Sequence, residues 1–363
     1  MNKKATNLSK AKAVRRSCNK FLYGHYPVTP KEYFSEMQEV TSNKQGRDQY
    51  GKGDTLNSFE QYVAKMFGHE SSLFFQSGTM AQLIAMRIWS EEKEILKVGF
   101  HPTSHLELHE HLAYKELHGL ESILIGEQDK IIDLPSLKKL EIVPAVVLLE
   151  LPQRELGGQV PTWKDLKSQV EYLHSKDVLV HMDGARVWEV SSYYQKSYKE
   201  IGQLFDSIYI SFYKGIGAVS GAALISNKDF IKKSRIWQRR HGGNLITSFP
   251  TSLSAEHNLK KRIRKFPDYY QRALELASTL SEINGIRIQP TIPQANMFHM
   301  FIEGDREILA QKAIDISLKN KVWGLNHFQQ TSENLCKLEW YVGDATMYVP
   351  VSLIKEMITD LTQ

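Results

Sequence analysis

The stretch SIYISFYKGIG, residues 207–217, joins a continuous apolar run to a lysine that lies in a turn bracketed by two glycines. Continuous apolar strands are typical of a parallel sheet that helices cover on both faces. Amphipathic helical stretches separate several similar runs elsewhere in the chain: SSLFF (71–75), ILKVGF (95–100), SILIG (122–126), AVVLLEL (145–151), VLVHMD (178–183) and GAALIS (221–226). The alternation predicts an α/β fold with a mostly parallel sheet, in which ligands bind at the carboxyl ends of the strands.

The character of the sequence changes after GGNLITSFP (242–250), where a long helical stretch leads into shorter strand-like runs. We therefore expect a basic N-terminal arm over residues 1–30, a large α/β domain over 31–245 and a small C-terminal α+β domain over 246–363. The first 20 residues hold seven basic residues and no acidic one, which favours an arm that is mobile or binds a partner over a transit peptide.

Composition excludes several classes of protein. The two cysteines, Cys18 and Cys336, form no CxxC pair, so we expect neither a disulfide framework nor a zinc ribbon, and we expect a reducing, cytoplasmic setting. The net charge of +5 is too small to predict nucleic-acid binding. No apolar run approaches the ~20 residues that span a bilayer, so no membrane partner is expected.

Three predicted strand ends carry residues suited to chemistry. Gly78 and Thr79 follow the first strand at the start of a helix, where backbone N–H groups could bind a phosphate or simply form a helix cap. Asp183 follows a later strand, and could either serve a ligand or pair with Arg186 to fix the loop. Lys214 could form a Schiff base, bind a phosphate or lie at the surface. Together, a phosphate cradle, an acid for a ring nitrogen and a Schiff-base lysine are what pyridoxal phosphate requires.

Three segments extend this interpretation to a family: GDTLNSFEQYVAKMFGHESSLFFQSGTMAQ (53–82), HMDGARVWE (181–189) and SFYKGIGAVSG (211–221). They resemble, in order and spacing, the low-specificity threonine aldolase and β-eliminating lyase family of fold-type-I pyridoxal-phosphate enzymes. The resemblance runs from about Tyr50 to about Gly243. It implies a mostly parallel seven-stranded sheet in the large domain, and a homodimer or homotetramer whose sites are built partly from a neighbouring subunit.

The resemblance also implies roles for the matching residues. Lys214 would form the Schiff base with the cofactor, and Tyr50 would approach the substrate. The remaining implied cofactor contacts are Gly78 and Thr79 at the phosphate, Asp183 at the pyridine nitrogen, Arg186 at the phenolic oxygen or the substrate carboxylate, and Ser211 at the end of the strand that precedes the lysine.

The stretch HPTSHLELHEH (101–111) contains four histidines. It lacks the HExxH order of a zinc enzyme, and we expect no metal. The resemblance singles out His105, stacked on the cofactor ring, with Glu110 as a supporting acid. It leaves His101, His109 and His111 as scaffold or surface.

Two departures from the family pattern bear on the substrate. The family's Glu-Asn-Thr-His-Asn run corresponds to residues 150–154 here, and its histidine is replaced by Gln153. The late arginine that binds the substrate carboxylate in the family is replaced by Glu339 in KLEWYVG (337–343). Either Arg186 or Arg154 therefore holds the carboxylate, or the substrate is not a simple α-amino acid. Gln153 and Arg154 are expected on the substrate side of the site.

The reaction predicted first is retro-aldol cleavage of a β-hydroxy-α-amino acid to glycine and an aldehyde, which makes the protein a carbon–carbon lyase. It needs a base near the β-hydroxyl, and His105 is the matching residue, acting directly or through water. The alternative is α,β-elimination or another carbanion reaction in which Lys214 removes the α-proton. An aminotransferase and a non-catalytic cofactor-binding relative also remain open.

Overall fold

The computed structural model describes residues 3–42 and 45–363. The chain forms two compact units, which we call the small unit and the large unit. The small unit comprises Met1–Val28, Leu156–Gln159 and Lys265–Gln363, and the large unit comprises Thr29–Glu155 and Val160–Arg264. No helix of the described residues is long and apolar enough to cross a membrane.

The strands of the described residues are numbered in chain order. They are β1 Lys20–Phe21, β2 Ser71–Phe75, β3 Lys97–Phe100, β4 Glu121–Leu124, β5 Val146–Glu150, β6 Leu179–Gly184, β7 Ser207–Ser211, β8 Ala222–Ser226, β9 Ile286–Gln289, β10 Met297–Glu303, β11 Val322–Trp323, β12 Gln329–Ser332 and β13 Leu335–Tyr341.

The α-helices are numbered in the same way. They are α1 Lys3–Ser17, α2 Pro30–Val40, α3 Asp54–Met66, α4 Gly78–Lys93, α5 His105–Leu108, α6 Ala113–His118, α7 Leu134–Lys138, α8 Trp163–Ser175, α9 Ser191–Tyr194, α10 Tyr198–Gly202, α11 Lys228–Arg240, α12 Phe249–Arg262, α13 Phe266–Ser281, α14 Arg306–Asn320 and α15 Val351–Thr362. Short 3-10 helices cover Arg154–Leu156, Val187–Glu189 and Thr346–Tyr348.

The sheet of the large unit confirms the predicted α/β class. Its strand order is β2-β8-β7-β6-β5-β3-β4, and only β8 runs against its neighbours. Because β8 is antiparallel to both β2 and β7, strand β2 points the same way as β5, β6 and β7. The loops that follow these strands therefore meet at one edge of the sheet, which we call the carboxyl edge.

Helix α4 explains how this sheet is covered on one face. Ser77 caps its N-terminus, with the side chain accepting a hydrogen bond from the Met80 N–H. The middle of the helix is buried on all sides, since the successive residues 83–86 are each at most 2% exposed, which is typical of a helix in the core of a large protein. It packs on β2, β7 and β8. This packing fixes the helix N-terminus at the carboxyl edge.

The small unit contains an antiparallel sheet of order β12-β13-β10-β9 and a parallel pair, β1 and β11. The segments that make up the small unit differ from the expected domains at the N-terminus and at the second boundary. The segment expected to be a basic arm contains helix α1, because Val14 of that helix is buried with Ile314 and Trp323 of the small unit. The second boundary falls after Arg264 rather than at residue 245, because α12 packs on α2 and α3 of the large unit.

Candidate active site

The first element of the site is the start of α4, which directly follows β2. A Cβ on Gly78 would lie 2.0 Å from the hydroxyl oxygen of Tyr209 and 2.6 Å from its Cζ. Only glycine therefore fits here, because the tyrosine occupies the space of any side chain. Gly78 and Thr79 thus begin a 16-residue helix with open backbone N–H groups, which is the geometry that binds a phosphate.

Asp183 lies near the end of β6 at the same edge and is 2% exposed. Its Oδ2 accepts a 2.8 Å hydrogen bond from Nε2 of Gln82, and its Oδ1 accepts a 3.0 Å bond from the Ala185 N–H. A buried carboxylate needs such donors. The arrangement holds a negative charge in the core, next to the start of α4, where it can face a protonated ring nitrogen.

Lys214 follows β7 and is largely enclosed. Burial lowers the pKa of its amine to about 8, and the charge of Arg186 adds to the shift, whereas Asp183 and Glu150 oppose it. A lysine amine with a lowered pKa is a nucleophile near neutral pH. The predicted trio of Gly78, Asp183 and Lys214 therefore lies at one edge of one sheet.

Glu150 is a residue of the site that the sequence did not reveal. It ends β5, where its Cα pairs in register with that of Asp183. Burial, and then the neighbouring charge of Asp183, raises the pKa of Glu150 to about 8. Its Oε1 accepts a 3.0 Å bond from the Arg154 N–H. The raised pKa favours the protonated form of Glu150, and the side chain anchors the loop that begins with Arg154.

His105 and Glu110 form a pair above this edge. Nδ1 of His105 lies 2.9 Å from Oε1 of Glu110, whose side chain is almost fully buried while that of His105 is about one-third exposed. Oε2 of Glu110 is buried and has no hydrogen-bond partner among the described residues. The carboxylate thus orients the imidazole through Nδ1 and leaves Nε2 open.

Gln153 and His101 both form hydrogen bonds with Thr103. Nε2 of Gln153 donates to the Thr103 hydroxyl at 3.0 Å. Nε2 of His101 lies within 2.9 Å of the backbone carbonyls of Glu127 and Lys130, and its Nδ1 accepts a 3.1 Å bond from the Thr103 N–H. His101 is therefore part of the scaffold of this loop, and the amide of Gln153 is used to fix it.

The other predicted residues differ in their surroundings. Arg154 places Nη1 3.2 Å from Oε1 of Glu155, and its charge reaches Lys214. Arg186 directly precedes the short helix Val187–Glu189, and its charge lowers the pKa of Lys214.

Ser211 and Tyr50 have partners of their own. The Ser211 hydroxyl donates to the Ala185 carbonyl at 2.8 Å. Tyr50 is half-exposed and lies under the Arg239 guanidinium, 5.8 Å from its carbon to the ring centroid.

In the small unit, the strand where the family carries an arginine has an acid facing a histidine. Glu339 of β13 pairs in register with His299 of β10, and His299 Nε2 lies 3.8 Å from Glu339 Oε2. Among the described residues no group of three His, Cys, Asp or Glu side chains is placed to hold a metal ion.

The family model and the curated proteins that match this chain point to the same family. The model of the beta-eliminating lyase family matches residues 31–303. The low specificity L-threonine aldolase of Escherichia coli (strain K12) is 29% identical over 250 residues, which is 65% of this chain and 72% of that protein. The low specificity L-threonine aldolase of Saccharomyces cerevisiae is 25% identical over 329 residues, 86% of this chain and 84% of that protein.

Solved structures agree over nearly the whole chain. The putative L-allo-threonine aldolase of Listeria monocytogenes is 37% identical with a TM-score of 0.93, covering 98% of this chain and 99% of that one. A putative aromatic amino acid beta-eliminating lyase/threonine aldolase from Exiguobacterium is 35% identical, with the same TM-score and the same coverage.

Proposed function

The chain belongs to the beta-eliminating lyase family, and from that premise we propose that it cleaves a β-hydroxy-α-amino acid to glycine and an aldehyde, with pyridoxal phosphate as its cofactor. The observation that carries the proposal is the charge cluster at the carboxyl edge, where Lys214 lies among Asp183, Glu150 and Arg186. The threonine aldolase names of similar proteins support this choice of reaction.

The residues at the carboxyl edge fit this cofactor. The start of α4 offers N–H groups beside a position with no room for a Cβ, which suits the phosphate. The carboxylate of Asp183 suits the ring nitrogen, and the Lys214 amine, with its pKa lowered to about 8, suits the aldehyde. When bound, the cofactor supplies an electron sink for the electron pair that is left on the substrate's Cα.

The chain's own residues then have to accept the proton of the β-hydroxyl and bind the substrate carboxylate. The β-hydroxyl loses its proton as the Cα–Cβ bond breaks, and an imidazole is the side chain best suited to accept it near neutral pH. His105 lies in the stretch 101–111, and Glu110 holds its imidazole through Nδ1. We propose that this imidazole contacts the cofactor ring. The base, acting directly or through water, is therefore sought among the histidines of residues 101–111.

For the substrate carboxylate we propose Arg186 rather than Arg154. Arg186 follows Asp183 by three residues, and its charge lowers the pKa of Lys214 more than the charge of Arg154 does. Tyr50 is proposed to approach the substrate from the exposed side. The amide of Gln153 is bound to Thr103, which supports a role in fixing the loop.

The holoenzyme tests the proposal directly. With L-allo-threonine or phenylserine, we expect acetaldehyde or benzaldehyde to appear together with an equal amount of glycine. Borohydride reduction should fix the cofactor to the peptide that contains Lys214. Release of ammonia and a keto acid from an amino acid with a β-leaving group, without aldehyde from either first substrate, would instead establish α,β-elimination.

We also propose that the enzyme is a homo-oligomer, which the large unit supports through an exposed apolar surface. We call it the α2–α12 surface, and it lines a groove of about 180 Å³ with Tyr33, Phe34, Met37, Thr41, Phe249, Pro250 and Leu253. Phe34 alone is 67% exposed. An exposed apolar patch of this kind is typical of a protein interface. Light scattering should show Phe34→Glu as a smaller species, while Ile292→Glu, at another exposed apolar residue, keeps the parent mass.

We also propose that the enzyme is located in the cytoplasm. Cys18 and Cys336 are both free thiols, and a chain with distant, unpaired cysteines is suited to a reducing compartment. Fractionation of the source cells with an antibody against the chain would test this, and recovery in the soluble cytoplasmic fraction is expected.

A further inference from the structure

His109 lies against His105 and forms a second histidine–glutamate pair. The two ring centroids are 5.1 Å apart, with the planes tilted by 50°. Nε2 of His109 is 3.1 Å from Oε1 of Glu155, just as Nδ1 of His105 is 2.9 Å from Oε1 of Glu110. Two imidazoles, each held by its own carboxylate, therefore lie side by side in the large unit.

The carboxylates decide which ring nitrogen of each histidine can accept a proton. A carboxylate accepts hydrogen bonds only, so Glu110 takes the N–H at Nδ1 of His105 and Glu155 takes the N–H at Nε2 of His109. The lone pair is then at Nε2 of His105 and at Nδ1 of His109. Each imidazole is ready to act as a base, with an adjacent negative charge to stabilise the imidazolium that forms.

Glu110, which holds His105, lies near Tyr209 beside the start of α4. Burial, Tyr213 and then Asp183 raise the pKa of Tyr209, and the charge of Glu110 adds to that shift. Tyr209 is the residue whose hydroxyl fills the space beside Gly78. Glu110 thus lies within electrostatic reach of the residue that borders the start of α4, where the cofactor phosphate is expected.

The His109 pair is joined through Arg154 to the end of β5. Glu155 binds the guanidinium of Arg154 at 3.2 Å, and the Arg154 N–H binds Glu150 at the end of β5. Arg154 also acts on the Lys214 amine. The side chain of His109 is 39% exposed, so a molecule that enters the site can reach it.

Gln153 and His101 are not suited to this role. Gln153 carries an amide, which does not titrate, and it is bound to Thr103. His101 uses Nε2 for two backbone carbonyls and Nδ1 for the Thr103 N–H. Of His101, His105 and His109, only His105 and His109 keep a ring nitrogen that can accept a proton.

We propose that His109, held by Glu155, is the base that takes the proton of the substrate's β-hydroxyl, while His105 supports the cofactor ring. In this step the O–H bond breaks and its proton goes to Nδ1 of His109. The electron pair of that bond forms the aldehyde C=O, and the Cα–Cβ bond breaks with its pair left on Cα. A proton from Lys214 or water then completes glycine, and His109 returns its proton to water. The inference rests on the proposed retro-aldol function and names the residue that performs one of its steps.

The test uses two reactions of the same holoenzyme. Cleavage of phenylserine needs a base at the β-hydroxyl, whereas exchange of the glycine α-proton with deuterated water needs the cofactor and Lys214 but no hydroxyl. We expect His109→Gln to lower kcat for cleavage by about 10²-fold or more, the range of a general base, and to leave glycine exchange within about twofold. Glu155→Gln should show a smaller loss in the same reaction only.

A matched control is His174→Gln, because His174 forms an exposed pair with Asp206 at 3.0 Å elsewhere in the large unit, and both reactions should stay at the parent rate. Unchanged cleavage in His109→Gln would overturn the inference, and so would an equal loss of cleavage and exchange, since that outcome marks a structural role. Absence of cleavage in the parent enzyme would overturn the proposed function itself, which keeps the two failures distinguishable.

Discussion

Gln82 of α4 donates a 2.8 Å hydrogen bond from Nε2 to Oδ2 of Asp183, and both residues are 2% exposed. The bond joins the helix whose first residues face the expected phosphate to the strand that carries the acid for the ring nitrogen. The groups expected at the phosphate and at the ring nitrogen of the cofactor are thus connected by one hydrogen bond between two side chains. Movement of either element would misplace the other.

Gln82→Leu keeps the approximate size of the side chain but removes the donor to a buried carboxylate. Loss of a hydrogen bond to a charged group costs about 1.5–3 kcal/mol, so we expect the apoenzyme to unfold at lower urea and the holoenzyme to lose its cofactor faster on dialysis. Gln169→Leu is the control, because that buried glutamine donates to the neutral carbonyl of Ile132. Equal cofactor retention in the two variants would contradict the prediction.

The sequence predicted the strands of the large unit well because each is a continuous apolar run bounded by turn residues. It also singled out Asp183 and Lys214 as candidates for the site, since charged residues at the ends of such runs are conspicuous. It missed Gln82 because one glutamine in an apolar helix gives no indication of its partner, 101 residues away. The pair of His109 and Glu155 was missed for the same reason.

Contacts over still longer separations explain the difference at the N-terminus. Residues 1–20 are strongly basic, which indicated an arm. Helix α1 nevertheless packs on the small unit, because Val14 is buried against Ile314 and Trp323, which lie about 300 residues later in the chain. Charge composition alone does not indicate such a contact, since a helix in a protein is stabilised mainly by packing its apolar positions against a neighbour.

Gly78→Ala should abolish cofactor binding. The new Cβ would lie 2.0 Å from the Tyr209 hydroxyl oxygen, so either the tyrosine or the start of α4 must move, and a shift of the helix N-terminus misaligns the N–H groups. Absorbance of the purified protein in the cofactor band measures the loss. The control is Gly46→Ala, where a Cβ meets nothing within 4 Å and stability should change by no more than about 0.5 kcal/mol. A fully loaded Gly78→Ala enzyme would disprove the steric argument.

Glu150 should make the stability of the apoenzyme depend on pH. Burial, with the Asp183 charge, raises its pKa from 4.5 to about 8. The protonated native state is therefore favoured most fully below about pH 4.5, and this contribution is lost as the pH rises towards 8, where the native carboxyl also ionises. Urea unfolding between about pH 5 and pH 8 should show the parent losing stability relative to Glu150→Gln. The exposed acid in Glu121→Gln serves as the control, and parallel curves for the parent and Glu150→Gln would contradict the assignment.

The substrate carboxylate can be located by exchanging each arginine for lysine. Arg186→Lys keeps the positive charge near Lys214 but loses the planar, two-pronged geometry that matches a carboxylate, so we expect KM for phenylserine to rise by about 10-fold or more, the equivalent of about 1.4 kcal/mol. Arg154→Lys should raise KM less, because the Arg154 guanidinium already binds Glu155 at 3.2 Å. Steady-state kinetics at one pH, with the cofactor content of each variant equalised first, gives the comparison. The reverse order of the two KM values would assign the carboxylate to Arg154 instead, and equal KM values in all three enzymes would mean that neither arginine binds it.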